Sequence, residues 1–403
     1  MDNKNLKTFL ILSQFFWPEH FRINELANVL KKDYKVEVIT SIPNYPEGKF
    51  FSGYSLSQNR NENYNDIKIK RILTYPRKNG NSLNLFINYL IFNIFSLIEL
   101  YRYKKKIDLI FVPATSPMTQ ALAAVIIKKK IKCKIIIWIQ DIYPESFYLK
   151  KQFLKKFSFL FNSLGKFILR NCDQIYLQNS EMKKYVERYV SKEKYLFHLP
   201  NWTEDNFIKE KKSIINNSCD IVMAGNIGEA QGIDELIDVL PRLNELIKNN
   251  KKEFKIHIIG TGVKKTSLID NVEKYDLKKN IIFYGRLSPE DTSEIFKKCN
   301  FGLSIYSINH NFLKDLIPSR FISYVASNLI VLTNTYGAQK NLLNHYSCGF
   351  ANQNIFELFK YAINISDKEL SDNILNTKRL FLRNYDKEAI FNNFSKSLNG
   401  LLG

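Results

Sequence analysis

The residues Ile221-Val222-Met223-Ala224-Gly225-Asn226-Ile227-Gly228-Glu229-Ala230-Gln231-Gly232 stand near the middle of a chain of 403 residues. The four apolar residues at the start predict a short buried strand, and three glycines follow within eight positions. Asp234 and the apolar residues after it predict an amphipathic helix. A strand, a glycine turn and a helix N-terminus together present backbone N–H groups to an anion. Glycines also serve plain turns, so the stretch predicts either a phosphate site or a turn required by sterics.

Strands and helices alternate on both sides of this stretch, which predicts two α/β halves, each with a doubly wound parallel sheet of the Rossmann type. A chain of this length accommodates two domains. We assign residues 1–200 to the first domain and 201–380 to the second, with a polar linker at 203–218. The predicted strands are 9–12, 36–40, 67–72, 109–112, 135–139, 174–177, 195–199, 219–224, 255–259, 281–284 and 329–333; the predicted helices include 25–32, 83–103, 153–170, 234–249, 290–298 and 378–402.

The formal net charge of +20 is concentrated in the first half of the chain. Residues 1–200 hold 33 Lys and Arg against 16 Asp and Glu, a net charge of +17. The first half therefore favours an anionic partner, which is a nucleic acid, a membrane surface or a phosphorylated substrate. The alternative is a set of solvated lysines, in a chain that is rich in Lys, Asn and Ile throughout.

The cysteines and the apolar runs of the sequence indicate the cellular compartment. Five scattered cysteines without a CxxC pair predict a reducing environment, with neither disulfides nor a zinc site. The N-terminal apolar run lacks a small-residue cleavage site and is predicted to be a strand, not a signal peptide. No stretch reaches 18 uncharged apolar residues, so no membrane-spanning helix is expected. The aromatic, basic helices at 83–103 and 153–170 are each either interfacial or packed in a core with a basic outer face.

Four motifs, taken in their order and spacing, resemble the retaining glycosyltransferases of family 4. They are WPEHFRIN at 17–24 together with IPNYPEG at 42–48, QDIYPES at 140–146, GNIGEAQG at 225–232 and IPSR at 317–320. The resemblance covers nearly the whole chain. It is most marked for the branch that makes O-antigen, capsule and colanic acid, which includes L-N-acetylfucosaminyltransferases.

This resemblance implies the GT-B fold, in which two Rossmann-like domains face a cleft. It implies a UDP-sugar on the second domain and, on the first, an acceptor saccharide carried by a polyprenyl diphosphate. Residues 381–403 are expected to form a helix that crosses back to the first domain. N-acetylated 6-deoxyhexosamines such as L-FucNAc are among the sugars that such enzymes transfer. With the charge of the first half, the resemblance implies a cytoplasmic enzyme of capsule or O-antigen synthesis, peripheral on the anionic inner face of the plasma membrane.

The donor side of the reaction needs positive charge. Breaking the glycosidic bond of a nucleotide sugar leaves a diphosphate, whose charge the enzyme must stabilise. The sequence shows no metal-ligand cluster, so backbone N–H groups and cations are expected to stabilise it, with no cofactor beside the UDP-sugar co-substrate. Arg320, which precedes a predicted helix, is expected to act in catalysis. The residues expected to bind the nucleotide sugar are Gly225, Asn226, Gly228, Glu229, Gln231, Gly260, Gly262, Arg286, Asp315, Pro318, Ser319, Arg320 and Ser323.

This donor site departs from the family pattern in two places. Asn226 and Gln231 stand where many members carry Arg and Lys, so part of the positive charge must come from elsewhere. The family's Glu-x7-Glu signature falls on Asp315 and Ser323, which leaves Ser323 a weak ribose ligand at best. Alternatively, Arg286 and Arg320 are surface residues, and Gly260 and Gly262 are plain turn glycines.

Loops at the carboxyl edge of the first sheet carry the residues expected to meet the acceptor. A retaining transfer of this family is framed as a front-side attack in which the donor phosphate takes the acceptor proton, so no strong protein base is required. Glu19 and Asp141 are expected to act in catalysis by orienting the acceptor hydroxyl. For His20, a loop position without a catalytic part is favoured. The residues expected to bind the acceptor are His20, Arg22, Asn24, Asn44, Tyr45 and Glu145.

Two other functions compete with this interpretation. A UDP-sugar 2-epimerase on the same fold would use the nucleotide site but take no lipid acceptor. A nucleic-acid-binding protein would explain the net charge, but the aromatic and basic residues stand at helical spacing within long apolar faces, unlike a base-stacking groove. No nucleic-acid partner is therefore expected.

Overall fold

The computed structural model describes residues 6–115, 117–148, 152–190, 196–208 and 218–402. The chain forms two compact units, the first comprising Met1–Leu199 with Phe391–Gly403 and the second Pro200–Ile390. The chain returns to the first unit ten residues later than the boundary we placed at 380. Residues 209–217 of the predicted linker lie outside the described residues.

The first unit is built on a sheet of eight strands. These are β1 (Thr8–Ser13), β2 (Lys35–Thr40), β3 (Asn61–Tyr64), β4 (Ile67–Arg71), β5 (Leu109–Ala114), β6 (Lys134–Ile139), β7 (Gln174–Leu177) and β8 (Leu196–His198). Their order is β3-β4-β2-β1-β5-β6-β7-β8, and only the β3–β4 pair is antiparallel. All six residues of β1 are buried, as expected where helices cover both faces of a parallel sheet.

Six helices connect these strands in the described part of the first unit. They are α1 (Arg22–Leu30), α2 (Ser82–Arg102), α3 (Leu122–Ile131), α4 (Glu145–Tyr148), α5 (Ser158–Asn171) and α6 (Lys183–Glu187), with short 3₁₀ helices at Met118–Ala121, Gln152–Phe157 and Ser180–Met182. The predicted helix 153–170 is thus a 3₁₀ segment followed by α5. The predicted helix 25–32 begins three residues earlier, so Arg22 and Asn24 lie in the first turn of α1.

Helix α2 differs from what its sequence predicted. By length and composition it is long and apolar enough to cross a membrane, with a mean hydropathy of 1.6. The expectation that no helix could span a membrane is therefore wrong on those criteria, because only two charged residues stand in the helix, both near its end. Only 22% of its most apolar window is buried. The large exposed apolar residues of α2 form a stripe at helical spacing, the α2 apolar stripe: Leu83, Phe86, Leu90, Ile94, Ile98 and Tyr101.

Helix α5 also exposes apolar side chains. Phe157, just before it, and Phe159, Leu160 and Phe167 within it are all exposed. Lysines at 155, 156 and 166 are exposed among them. These aromatic residues are therefore not core residues, although Ile168 and Leu169 on the same helix are buried.

The second unit contains a sheet of six strands. They are β9 (Ser218–Ala224), β10 (Glu253–Ile259), β11 (Ile281–Gly285), β12 (Phe301–Leu303), β13 (Ile330–Thr333) and β14 (Gly349–Ala351). Their order is β11-β10-β9-β12-β13-β14, and every pairing is parallel. The central strand β9 is the apolar start of the stretch quoted above.

Helices follow these strands in turn. They are α7 (Ile233–Lys248), α8 (Lys265–Lys274), α9 (Pro289–Lys298), α10 (Ser319–Ala326), α11 (Ala338–Tyr346), α12 (Ile355–Asn364), α13 (Asp367–Asn384) and α14 (Lys387–Leu402), with 3₁₀ helices at Asp205–Phe207, Glu229–Gln231 and Asn311–Asp315. The predicted single helix 378–402 is wrong, since α13 ends at Asn384 and α14 begins anew. Asp386 marks the restart, because its Oδ1 accepts the N–H of Ala389 at 2.8 Å, as an N-cap does.

The end of α14 belongs to the first unit. The ring of Phe394 lies 5.0 Å from the ring of Tyr176 and 5.6 Å from that of Phe111, centroid to centroid. Ser397 shares a 2.6 Å hydrogen bond with the hydroxyl of Tyr176. These contacts tie the last helix to β5 and β7.

Candidate functional site

In the second unit, two glycine turns pack against each other at the carboxyl ends of β9 and β10. A Cβ on Gly260 would lie 1.8 Å from the carbonyl oxygen of Gly225, and one on Gly262 would lie 2.2 Å from that of Ile227. Gly225 and Gly260 also have φ angles of +126° and +138°, which favour glycine. The structure therefore gives Gly260 and Gly262 a steric role, that of turn glycines supporting the 225–228 backbone.

The two residues that replace the family's cations bond to each other. Asn226 Nδ2 donates to Gln231 Oε1 at 3.1 Å, and a Cβ on Gly228 would lie 2.6 Å from the same nitrogen. Gly225 and Asn226 are exposed, as is Glu229 at the start of the following 3₁₀ turn. The N–H groups of Gly225 and Ile227 donate to the carbonyl oxygens of Ile259 and Thr261, both at 2.9 Å. The turn thus presents its other backbone groups and neutral amides, followed by the carboxylate of Glu229, and positive charge must come from another element.

Arg320 supplies positive charge beside this turn. A Cβ on Gly225 would lie 3.9 Å from Arg320 Nη1, although the two residues are almost one hundred positions apart. Nη2 donates to the carbonyl oxygen of Ile305, and the guanidinium carbon lies 5.2 Å from the centroid of the Tyr306 ring. Nε is buried without a hydrogen-bond partner. Among the described residues no carboxylate pairs with Arg320, so its charge is available to an anion.

The N-terminus of α10 adds N–H donors at the same place. Pro318 is its N-cap and provides no side-chain cap, so the first backbone N–H groups of the helix lack that partner. Ser319 at the first helical position is exposed. The glycine turn, the helix N-terminus and the guanidinium of Arg320 together favour an anion.

Three other predicted donor residues are placed less favourably. The Ser323 hydroxyl is buried, lies 2.8 Å from Thr203 Oγ1 and donates to the carbonyl oxygen of Ser319 at 3.3 Å. Asp315 is buried as well. Arg286 is exposed after Gly285, a position that suits either a ligand contact or a surface arginine.

Sequence reasoning missed Glu235 and Tyr306, which shape this site. Glu235 Oε1 accepts the hydroxyl of Ser307 at 2.9 Å and the N–H of Ile308 at 2.9 Å. It thereby ties the loop after β12 to the first turn of α7. Tyr306 in that loop is the ring over which Arg320 lies.

In the first unit, Glu19 joins two of the family-like loops. Glu19 is 2% exposed, and its Oε1 accepts the N–H of Asn44 at 2.9 Å and that of Tyr45 at 2.8 Å. Burial raises the pKa of Glu19 to about 7, while these N–H groups oppose the rise. Glu19 is therefore a residue that positions the 42–48 loop.

Two predicted acceptor ligands are also occupied in holding loops. Asn24 Oδ1 accepts the N–H of Trp17 at 3.0 Å, and its Nδ2 donates to the carbonyl oxygen of Glu19 at 2.7 Å. The buried Asn44 donates to the carbonyl oxygen of Ile42 at 2.8 Å. By contrast, His20 and Tyr45 are exposed, and Arg22 is half-buried.

Arg77, which the sequence did not single out, lies over three aromatic rings, those of Phe15, Tyr45 and Tyr89. Together with Phe21, which packs against Phe15 and Tyr45, these rings form what we call the Arg77 aromatic bed. Its guanidinium carbon lies 5.4 Å from the centroid of the Phe15 ring, 5.5 Å from that of Tyr45 and 6.0 Å from that of Tyr89. Phe21 stacks on Phe15 at 4.8 Å. The N–H of Arg77 donates to Asn44 Oδ1 at 3.1 Å, so the same loop fixes its backbone.

The two predicted carboxylates of the 140–146 motif differ in their surroundings. Asp141 is half-buried, and burial raises its pKa to about 6. Burial raises the pKa of Tyr89, and the charge of Asp141 raises it further, so Asp141 lies near the Arg77 aromatic bed. Glu145 forms a bidentate pair with Arg188, at 2.8 and 2.7 Å. Glu145 is thus already neutralised, whereas Asp141 has no such partner among the described residues.

Cysteines and metal ligands have no visible part in these arrangements. All five cysteines are buried, and none of them forms a disulfide. Within the described ranges, no group of three or more His, Cys, Asp or Glu side chains is placed to hold a metal ion.

Comparison with known proteins gives one family match, which lies in the second unit. Residues 204–360 match the model of the family Glycosyl transferases group 1. The matched residues include both the glycine turn and Arg320.

Solved structures of similar architecture extend over nearly the whole chain. Sucrose-phosphate synthase from Thermosynechococcus elongatus is 12% identical, with 98% of this chain and 99% of that chain covered and a TM-score of 0.74. HepE of Anabaena in complex with UDP is 10% identical, with 98% and 100% covered and a TM-score of 0.66. WaaG, a glycosyltransferase involved in lipopolysaccharide biosynthesis, is 11% identical, with 98% and 100% covered and a TM-score of 0.66.

At such identities these likenesses establish the fold alone, and that fold is GT-B, as the motifs implied. Together with the group 1 match, it defines a glycosyltransferase that uses a nucleotide sugar.

Proposed function

We propose that the chain is a retaining, metal-independent transferase that moves a sugar from a UDP-sugar to a saccharide on a polyprenyl diphosphate. The observation that carries the donor half of this proposal is the unpaired guanidinium of Arg320 beside the turn at Gly225. HepE, which shares the fold, binds UDP, and WaaG serves lipopolysaccharide synthesis. The likeness to HepE fits a UDP-sugar donor, and the likeness to WaaG fits a role in the synthesis of a surface polysaccharide.

The proposed mechanism stabilises the leaving diphosphate with fixed charge. Arg320 and the backbone N–H groups of the glycine turn and of α10 meet the diphosphate as the glycosidic bond breaks. The donor phosphate takes the proton of the acceptor hydroxyl on the same face, which retains the anomeric configuration. Asp141 orients that hydroxyl, and Glu19 acts at one remove by holding the 42–48 loop.

Features of the first unit support the proposed acceptor and the proposed site of action. A polyprenyl diphosphate stays in the bilayer, so the enzyme must come to the membrane. The exposed apolar residues of α2 and α5, flanked by lysines, fit an anionic cytoplasmic leaflet on which the protein is peripheral. An N-acetylated 6-deoxyhexosamine such as L-FucNAc as the donor sugar, and capsule or O-antigen as the product, rest on the resemblance of the motifs.

A screen of nucleotide sugars against an undecaprenyl-diphosphate-sugar mimic, read by product mass, tests this function. We expect one UDP-sugar to add its sugar mass to the mimic and UDP to appear in equal amount. An isomerised UDP-sugar without transfer would indicate the 2-epimerase instead. No change in any UDP-sugar, with a protein whose melting temperature UDP does not raise, would refute the donor assignment.

A further inference from the structure

Arg77 is a cation held in place without a charge partner. The Arg77 aromatic bed fixes its guanidinium, and its backbone is bonded to Asn44. Among the described residues no carboxylate forms an ion pair with it. Lys78, exposed and 4.9 Å from the centroid of the Tyr75 ring, adds a second positive charge. This corner of the first unit therefore favours an anionic ligand, and the donor chemistry of the second unit does not account for it.

A guanidinium on aromatic faces keeps most of its hydrogen-bonding capacity. The rings attract its charge, while its N–H donors point outward in its own plane. Burial raises the pKa of Tyr89 and the charge of Arg77 opposes that rise, so the guanidinium lies near this hydroxyl. The N–H donors of a guanidinium lie in one plane and form a fork that binds a phosphate through two hydrogen bonds. The ligand that matches this arrangement is a phosphate or a diphosphate.

An apolar surface begins within one helical turn of this cation. Tyr89 of the aromatic bed lies on α2, and Phe86, three residues earlier, is its neighbour on the helix surface. Phe86 is 60% exposed, and Leu83 and Leu90 continue the α2 apolar stripe on either side of it. A phosphate bound to Arg77 that carried an apolar chain would place that chain against these side chains. A water-soluble phosphate ester would leave them uncovered.

We propose that Arg77 and its aromatic bed bind the diphosphate of the lipid-linked acceptor, and that Leu83, Phe86 and Leu90 contact the first isoprene units of its lipid. This assignment rests on the proposed function, in which the acceptor is a polyprenyl diphosphate. It adds the residues that tell such an acceptor from a free saccharide.

Ligand binding to the full-length protein tests the assignment without turnover. With the donor site saturated by UDP, the affinities of farnesyl diphosphate, farnesol and inorganic diphosphate are measured by titration calorimetry. We expect farnesyl diphosphate to bind at least about tenfold more tightly than either other probe, since only it uses both surfaces. Arg77→Gln is expected to weaken its binding by about 10- to 100-fold, the loss typical of hydrogen bonds to a charged group.

Two further variants separate the contributions. Lys78→Gln removes the neighbouring exposed charge and is expected to change the affinity by no more than about threefold, as for other exposed charges. The double variant Phe86→Ser with Leu90→Ser is expected to reduce farnesyl diphosphate to the affinity of inorganic diphosphate. UDP affinity and melting temperature, measured for every variant, are expected to match those of the wild type.

Several results would overturn this assignment. Unchanged farnesyl diphosphate binding in Arg77→Gln removes Arg77 from the site. Equal binding of inorganic and farnesyl diphosphate, both lost in Arg77→Gln, makes it a site for free phosphate. If Arg77→Gln lowers the melting temperature, Arg77→Lys replaces it, and wild-type affinity in that variant refutes the planar fork. A wild type that neither binds UDP nor transfers sugar refutes the proposed function instead.

Discussion

At the scale of single residues, Arg320 is the side chain on which we expect the donor chemistry to depend. Arg320→Ala should lower kcat/KM by roughly two orders of magnitude or more, a loss on the order of 3 kcal/mol of transition-state stabilisation. The reason is that the guanidinium beside Gly225 would no longer meet the charge that develops on the leaving diphosphate. Steady-state kinetics with the UDP-sugar, beside a melting curve that shows an intact fold, measure the effect.

A matched control exists in the same unit. The guanidinium carbon of Arg242 lies 3.9 Å from the centroid of the Phe356 ring, on an exposed part of α7. Arg242→Ala therefore removes a stacked arginine from a position apart from the glycine turn, and it should leave kcat/KM unchanged. Equal activity of a folded Arg320→Ala enzyme would remove Arg320 from the mechanism.

Glu19 is a second residue with a measurable consequence. Its pKa is raised by burial from 4.5 to about 7, so between these pH values the folded protein keeps a proton that the unfolded chain has lost. The free energy of unfolding should therefore fall as the pH rises through this window, by about 3 kcal/mol in total. Glu19→Gln keeps an oxygen to accept the two N–H groups and should abolish this part of the pH dependence. Denaturant unfolding at a series of pH values compares the two proteins.

Activity distinguishes a positioning role of Glu19 from a chemical one. Because Gln still accepts the N–H groups of Asn44 and Tyr45, Glu19→Gln should keep kcat/KM within about threefold of wild type near neutral pH. Glu19→Ala, which leaves both N–H groups without an acceptor, should be less stable. A folded Glu19→Gln enzyme with a hundredfold loss would instead give the carboxylate a direct part in the reaction.

The individual residues show which assignments a sequence supports. Motif order located the loops that hold Glu19 and Asn24, but the roles of these side chains depend on which N–H and carbonyl groups fold back on them. The importance of Arg77 and Tyr306 depends on contacts between distant parts of the chain. No local sequence pattern distinguishes Arg77 or Tyr306 from other residues of the same type.

At the scale of elements, the long apolar strands agree with the sequence prediction, whereas the short strands β12 and β14 and the polar strand β3 were not predicted. β1 and β9 are apolar runs buried in parallel sheets, and their predicted positions agree with the structure to within a residue or two. β12 and β14 have three residues each, too few to show a period, and β3 is a polar edge strand. These strands are defined by pairing with a neighbour, which a single sequence does not display.

The helices α2 and α5 carry the prediction about the membrane. Sedimentation with anionic and neutral liposomes across a salt series should show reversible binding that prefers anionic lipid and is only partly salt-sensitive. Each lysine near an anionic surface contributes about 1 kcal/mol, so changing Lys155, Lys156 and Lys166 to Glu should weaken binding on the order of 100-fold. Ile94→Ser with Ile98→Ser should reduce the binding that remains at high salt, because apolar burial is not screened.

Two results would contradict this docking surface. If the wild type ignores anionic vesicles, the first unit does not bind membranes through charge. If the triple Lys→Glu variant binds as well as the wild type, the α5 face is not involved, and α2 alone remains as the contact. Loss of binding in the Ile94, Ile98 variant alone would support that assignment.

At the scale of the whole molecule, the net charge is unevenly distributed. The first unit carries most of the +20, and our proposal places the acceptor and the membrane contact on that unit. The second unit is nearly neutral, and Arg320 and the N-terminus of α10 place positive charge beside its glycine turn. A nucleic-acid partner would not account for this difference in charge between the two units. A lipid-linked acceptor on the first unit and a nucleotide-sugar donor on the second would account for it.

The positive charge beside the glycine turn of the second unit leads to an expectation about metal ions. A leaving diphosphate must be neutralised either by a divalent cation or by groups of the protein. The guanidinium of Arg320 and the first N–H groups of α10 form a donor set suited to a bare diphosphate. Among the described residues, no group of three or more His, Cys, Asp or Glu side chains is placed to supply the oxygen ligands that Mg²⁺ requires. We therefore expect transfer to survive EDTA, with initial rates within about twofold of those in buffer, because a charge supplied by the protein is not removed by chelation. A Mg²⁺-dependent transferase, assayed in the same buffer, shows that chelation is complete. An absolute requirement for Mg²⁺ or Mn²⁺ would mean that carboxylate ligands complete the site and that a cation, not Arg320, carries most of the neutralisation.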